Sequence, residues 1–339
     1  LMRFEGGGRP SWRRRAGTPH AFALYGCLRD RLEGFGFAAV AGALQQWTEE
    51  MLCEWVRRAV AATGVTTLAL SGGVFMNVKA NKAIAELPEV AELFVLPSCG
   101  DESNALGAAL AAYADARGSL DPLPPPVGGL YLGDAFTDWE IEQALGRVGD
   151  AVAVHTPDDM AERAAALLEA GEIVARADGR AEFGARALGN RSILADPSRP
   201  GVVRELNEAV KNRDFWMPFA ATVLAERAGD YLLNPKGLAA PHMMMAFDTI
   251  RERRNDVCAA VHPCDGTMRP QILERETAPA YHALIEAFEK KTDRGAVLNT
   301  SLNLHGSPMV YSPDDALDVL LQSGLRWLIL GSRLVEKTV

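Results

Sequence analysis

Cysteine is scarce in this chain: five in 339 residues, Cys27, Cys53, Cys99, Cys258 and Cys264, with no Cys-x-x-Cys pair. An odd, scattered set makes neither a disulfide framework nor a zinc site, and points to free thiols in a reducing cytoplasm. No apolar run approaches the roughly 20 residues that cross a bilayer. No signal-peptide pattern is visible, so a cytoplasmic protein with no membrane partner is expected. The six histidines, His20, His155, His242, His262, His282 and His305, lie far apart and form no His-x-x-x-His pair. Positive charge is in deficit: 35 Lys+Arg against 44 Asp+Glu, net −9. That balance argues against nucleic acid, which favours a broad basic face. There is no internal repeat. The remaining composition, 48% hydrophobic and 23% charged, is that of an ordinary globular protein, long enough for two domains.

Against this acidic background one window is cationic. From Arg176 to Arg213 eight Lys/Arg face five Asp/Glu. Within it, RAEFGARALGNRSILAD places Arg180, Arg186 and Arg191 among Gly179, Gly184 and Gly189. Guanidinium forks beside mobile glycine backbone suit a phosphate or carboxylate, since each fork can bind two oxygens. The three arginines are expected to converge on one cavity. A solvated loop with surface arginines is the plainer alternative.

Periodicity organises the rest as α/β in both halves. Helices are expected over 37–63, 77–85, 104–116, 137–148, 157–170, 279–291 and 313–323, and strands over 66–70, 93–96, 151–155, 173–177, 193–195, 220–224, 295–298 and 327–330. Thr137 and Glu140 read as a capping box. The Pro/Gly stretch RGSLDPLPPPVGG marks the domain boundary, giving domains 1–121 and 130–339 with a linker at 122–129. The first twenty residues lack periodicity and read as a loop or an extension.

Five further segments carry candidate chemistry. Gly72, Gly73 and Asn77 form a strand-to-helix turn that could admit a phosphate, or a plain βα turn. Asp101 in Gly-Asp-Glu-Ser-Asn is a metal or ribose ligand, or a helix cap. Asn299-Thr300-Ser301-Leu302-Asn303 follows a strand with hydroxyl and amide groups fit for a phosphate or a carbamoyl amide, or is a polar loop. Arg269 beside Asp265-Gly266-Thr267 adds an anion-binding group, or belongs to a hairpin. Lys211 and Arg213 flank aromatic residues and could meet a nucleotide, or edge a core patch.

Together EFGARALGNRSILADP, VKNRDFWMPFA, DGTMRPQ, LNTSLNLHGSPMV, SGGVFMN and GDESNALGAAL resemble the O-carbamoyltransferases of antibiotic tailoring and nodulation-factor decoration, over about residues 37–337. The resemblance implies the end of an actin/sugar-kinase-like (ASKHA) domain followed by a threonylcarbamoyl-adenylate-synthase-like α/β domain. It implies that the second domain makes carbamoyl adenylate from carbamoyl phosphate and ATP, and that the first transfers the carbamoyl group to a small-molecule hydroxyl acceptor. A metal (iron) near the nucleotide, magnesium with ATP, and a homodimer are implied as well. By this resemblance Arg180, Arg186 and Arg191 hold phosphates with Lys211 and Arg213 nearby. Ser301 and Asn303 look like the Ser-x-Asn phosphate pair, Arg269 like a further ligand contact, Asp101 like the metal carboxylate, and Gly72, Gly73 and Asn77 like the nucleotide loop.

The chain departs from that pattern at Ala185 and Ala221, where relatives carry Pro, and at Leu302, where they carry Phe. At Pro263 relatives carry His; the neighbouring His262 is therefore given no direct role. A long preceding stretch with a first phosphate loop and a His-x-x-x-His metal pair is expected in relatives and has no counterpart here, so this chain reads as a fragment of a longer enzyme. Two other readings stay open: a non-catalytic nucleotide- or anion-binding module, and a stand-alone threonylcarbamoyl-adenylate synthase.

Overall fold

The computed structural model describes residues 2–5, 11–119, 121, 129–211 and 217–338. The start of the chain, which shows no periodicity, nevertheless pairs Met2–Glu5 (β1) antiparallel with Ser11–Arg14 (β2). A helix, Ala21–Leu32 (α1), follows. The strongest helical pattern becomes Phe37–Thr63 (α2), where Leu52, Cys53, Val56 and Val60 form one buried stripe at the three- and four-residue spacing of a helix face. Gly64 ends it at φ 71°, a left-handed cap that favours glycine. Parallel strands Thr67–Leu70 (β3) and Glu92–Val95 (β4) are joined through the turn Gly73–Met76 and helix Val78–Ala85 (α3). Helix α2 packs along α3. These elements belong to one compact unit, Leu1–Leu96.

The second unit spans Pro97–Val339. Its first helix, Asn104–Arg117 (α4), buries none of its residues. The expected linker falls outside the described residues except for Gly129. Beyond it come Asp138–Val148 (α5), Val152–His155 (β5), Met160–Glu169 (α6), Val174–Ala177 (β6) and Arg191–Ala195 (β7). The capping box forms at Thr137 and Glu140. Val202–Leu206 (α7) runs into a π-helical turn, Asn207–Lys211, before Ala220–Leu224 (β8). Then follow Ala228–Tyr231 (α8), Leu232–Leu233 (β9), Phe247–Thr249 (β10), Thr267–Met268 (β11) and Pro270–Leu273 (β12). The unit closes with Pro279–Thr292 (α9), Ala296–Ser301 (β13), Pro313–Gln322 (α10), Trp327–Leu330 (β14) and Arg333–Lys337 (β15).

Eight strands make one mixed sheet in the order β12-β8-β13-β7-β6-β14-β15-β5. Strands β6, β7, β8 and β14 are buried along their whole length, as strands covered on both faces must be. Alternation divides them. Ile193, Ala195, Leu328 and Leu330 join α5, α7 and α10 on one face, whereas Leu194, Trp327 and Ile329 join α6 and α9 on the other. Register decides what meets at the sheet's edge. Strand β7 is antiparallel to both β6 and β13, and β8 is antiparallel to β13. The carboxyl ends of β6 and β13 therefore share one edge with the starts of β7, β8 and, through its parallel pairing with β8, β12.

Candidate functional site

That edge carries the arginine loop between β6 and β7, the Asn299–Asn303 segment ending β13, and Arg269 immediately before β12. Ligands gather where strands release the chain at such an edge. Here Arg186, Arg269, Asn299, Thr300 and Ser301 line one cavity, together with Pro218, Phe219 and Met243. Met243 is buried and holds φ 57°. A left-handed methionine is a sparsely populated conformation of the kind that concentrates at ligand sites.

The arginine loop is folded by an acid that sequence reading passed over. Oε1 of buried Glu182 accepts the backbone N–H groups of Leu188 at 2.8 Å, Asn190 at 2.8 Å and Arg191 at 3.1 Å. The turn closes so tightly at Gly189, φ 117°, that a Cβ there would meet the Tyr281 ring at 2.2 Å. Buried Arg176 supports the loop from below. Its Nη1 donates to the Gly189 carbonyl at 2.8 Å and to Asn190 Oδ1 at 2.7 Å, and its Nη2 to Asp178 Oδ2 at 2.6 Å.

The three expected arginines therefore separate. Arg186 reaches the cavity. Arg191, 1% exposed, donates to the carbonyls of Gly179 at 3.0 Å and Asn190 at 2.9 Å and stacks on Phe136 with 4.1 Å to the ring centroid. Burial draws its pKa below the ordinary arginine value, with Glu182 acting in the opposite sense. Arg180 is exposed and donates to the carbonyls of Gly133 at 2.9 Å and Leu132 at 3.0 Å. Neither Arg180 nor Arg191 lines the cavity.

Lys211, Ser301 and Asn303 meet one another inside the loop. The 1%-exposed Lys211 ammonium donates to Asn303 Oδ1 at 2.6 Å, to Ser301 Oγ at 3.2 Å and to the Ser301 carbonyl. Ser301 Oγ donates to Asn303 Oδ1 at 2.7 Å. Ser301 thus belongs both to this cluster and to the cavity wall. Arg213 lies outside the described residues.

Behind the cavity runs a buried polar chain. Tyr131 Oη and Gln271 Nε2 donate to the Leu188 carbonyl at 2.8 and 3.0 Å, Thr222 Oγ1 donates to Gln271 Oε1 at 2.8 Å, and Tyr281 Oη donates to Thr222 Oγ1 at 2.9 Å. Burial pushes both tyrosines above their ordinary pKa, so each keeps its proton to donate. Gln271 lies in the quoted DGTMRPQ segment; a polar residue two places after Arg269, in a strand, was the available signal. Next in sequence to Met243 of the cavity wall, half-buried His242 is pushed down to about 4 by burial.

In the first unit, Asn77 spends its amide locally. It caps α3 by accepting from Ala80 N–H at 3.1 Å and exchanges hydrogen bonds with Gln45 at 2.9 and 3.1 Å. Gly72 holds φ 113°, and a Cβ at Gly72 or Gly73 would meet nothing within 4 Å. Asp101 is exposed at the start of a helical turn, Asp101–Ser103. No group of three or more His, Cys, Asp or Glu among the described residues is arranged to hold a metal, so a lone Asp101 does not fit the implied iron.

Family models for the carbamoyltransferase N-terminus and C-terminus match residues 27–110 and 165–337. Nodulation protein NolO of Bradyrhizobium diazoefficiens is 36% identical over 323 residues, covering 93% of this chain and 58% of that protein. Nodulation protein NolNO of Sinorhizobium fredii is 35% identical over 300 residues, covering 88% and 44%. The 3'-hydroxymethylcephem-O-carbamoyltransferase of Streptomyces clavuligerus is 32% identical over 255 residues, covering 74% and 45%. The chain thus spans about half the length of these relatives.

Proposed function

The chain belongs to the carbamoyltransferase family, and on that premise we propose that its second unit binds carbamoyl phosphate and ATP and forms carbamoyl adenylate for transfer to a small-molecule hydroxyl. The finer likenesses, to an ASKHA domain and to threonylcarbamoyl-adenylate synthases, are part of this reading. The observation that supports it is the cavity at the sheet edge, where Arg186 and Arg269 stand with Thr300 and Ser301.

The chemistry suits those groups. A carbamoyl group is a weak electrophile, and adenylation gives it a better leaving group. Balanced, carbamoyl phosphate, ATP and one water yield carbamoyl adenylate, phosphate and pyrophosphate. The acceptor's hydroxyl oxygen then bonds the carbamoyl carbon, its proton departs and AMP leaves. Each step concentrates negative charge on phosphate oxygens, which preset cations and donors stabilise. Arg186 and Arg269 supply forked donors. Ser301 is held in place by Lys211, which sets the Ser-x-Asn loop at the cavity wall. Arg180 and Arg191 build the loop rather than touch the ligand in this reading.

Carbamoyl-phosphate-dependent exchange of labelled pyrophosphate into ATP tests the proposal. Exchange that Arg186→Ala abolishes is the expected result. Phosphate binding without exchange would turn the reading into the non-catalytic module, and exchange requiring threonine and bicarbonate into the stand-alone synthase.

A further inference from the structure

We infer that Asn299 is the residue that reads the amide end of the ligand, its Oδ1 accepting an N–H from a carbamoyl –NH2 and so separating carbamoyl phosphate from acyl phosphates of the same shape. This rests on the cavity reading above.

Asn299 is 1% exposed and lines the cavity near the end of β13. Its orientation is determined by its neighbours. Nδ2 faces the Ala187 carbonyl at 3.3 Å, Thr222 Oγ1 at 2.9 Å and Gln271 Oε1 at 3.4 Å. A carbonyl can only accept, so the –NH2 must point there. The partners are themselves oriented. Gln271 turns its own –NH2 to the Leu188 carbonyl, which leaves Gln271 Oε1 as an acceptor. Thr222 gives its proton to that oxygen, so toward Tyr281 and Asn299 it can only accept. Flipping Asn299 would set its oxygen against the lone pairs of Ala187 and Gln271.

What remains is Oδ1, enclosed and without a partner among the described residues. Buried polar atoms are nearly always hydrogen-bonded, and an exception invites a ligand explanation. The cavity that Asn299 lines also presents Arg186, Arg269 and Ser301, which suit an oxyanion. A small ligand with phosphate oxygens and an amide donor satisfies both requirements. The carbamoyl –NH2 and the acetyl –CH3 differ little in size, so cavity shape separates them poorly. A site built around a hydrogen bond rejects the analogue lacking the donor far more strongly than a missing methylene would be rejected.

The test uses two stable isosteres, phosphonoacetamide and acetonylphosphonate, with inorganic phosphate as the anion control. Binding to the full chain is measured by calorimetry. The wild-type chain is expected to prefer the amide by at least about tenfold. Asn299→Leu should reduce that preference to within about threefold, mainly by weakening phosphonoacetamide, with acetonylphosphonate and phosphate nearly unchanged. Asn299→Ser carries the same comparison if the leucine variant does not fold, and the wild-type preference needs no variant at all. Equal wild-type affinities would overturn the inference while leaving phosphate binding intact. So would a leucine or serine variant that folds and keeps the full preference. If the chain binds neither phosphonate nor phosphate, the cavity reading fails and takes this inference with it.

Discussion

Removing the Glu182 carboxylate should loosen the loop that carries Arg186. One oxygen of this buried side chain accepts three backbone N–H groups, from Leu188, Asn190 and Arg191, at 2.8, 2.8 and 3.1 Å. Hydrogen bonds to a charged group contribute roughly 1.5–3 kcal/mol each, and a buried donor left unmet costs about 1–3 kcal/mol. Three such bonds on one atom are not additive, so Glu182→Ala is expected to cost about 3–5 kcal/mol, at the upper end for a single substitution. Glu182→Gln keeps an acceptor and loses the charge, and should cost about 1–2 kcal/mol. Because the chain has two units, a single unfolding midpoint is a poor measure. Native-state hydrogen exchange at the amides of Leu188, Asn190 and Arg191 reads the loop directly. Protection should fall by roughly two orders of magnitude or more in the alanine variant and by about tenfold in the glutamine variant. Arg180→Ala is the control, since Arg180 is exposed and ties only the loop's start. If Glu182→Ala leaves protection at the three amides within threefold of wild type, roughly 0.7 kcal/mol, the carboxylate does not organise this loop.

Other expectations are simpler to check. Arg186→Ala should weaken phosphate or pyrophosphate binding by roughly 1.5–3 kcal/mol, read by calorimetry, with loop exchange unchanged; unaltered affinity would remove Arg186 from the site. His242, lowered by burial to about 4 from 6.5, binds its proton more weakly folded than unfolded. Its stabilising contribution is complete above about pH 6.5 and is lost as pH falls toward 4, by up to about 3 kcal/mol. The free energy of opening at amides around His242, read by native-state hydrogen exchange, should fall across that window in the wild type and not in His242→Gln, and parallel profiles would show that His242 is not the titrating group. Equilibrated with ferrous iron, this chain should retain less than one tight equivalent, because Asp101 has no partner ligands among the described residues; stoichiometric iron after desalting would contradict this.

The fold was legible where a single period governs a segment. Helix α2 and strands β8 and β14 fall on their expected limits, because buried strands and amphipathic helices write their environment into residue type. Strand β12 was not legible. It begins at Pro270, a residue that ordinarily argues against a strand, and it is tolerated as the sheet's outermost member, at the first position of an edge strand. Strand β15, RLVEK, buries only the adjacent pair Leu334 and Val335, with no alternation to read, and is flanked by charged residues. The segments 202–211 mix α and π turns, a geometry for which no residue pattern is distinctive.

The site divides along a different line. Residue chemistry marked a cationic, glycine-rich loop, but charge says nothing about which acceptor a guanidinium meets. Arg191 begins β7, and its side chain turns back onto the carbonyls of its own loop. Arg186, five residues earlier and off the strand, is the one on the cavity wall. Spacing among glycines could not separate them, since the distinction depends on Glu182 gathering three N–H groups from residues 188–191 and so fixing which way the loop turns. Asn299 shows the converse. It lay in a recognisable polar motif, yet its role rests on Ala187, Thr222 and Gln271, drawn from a loop and two further strands. Sheet register brings those residues together: Ala220 pairs with Asn299, and Pro270 with Ala221, so Thr222 and Gln271 are also opposite one another. An amide's free oxygen is thus a property of four segments at once. A motif can nominate such a residue, but only the pairing of strands shows which of its atoms is left to meet a ligand.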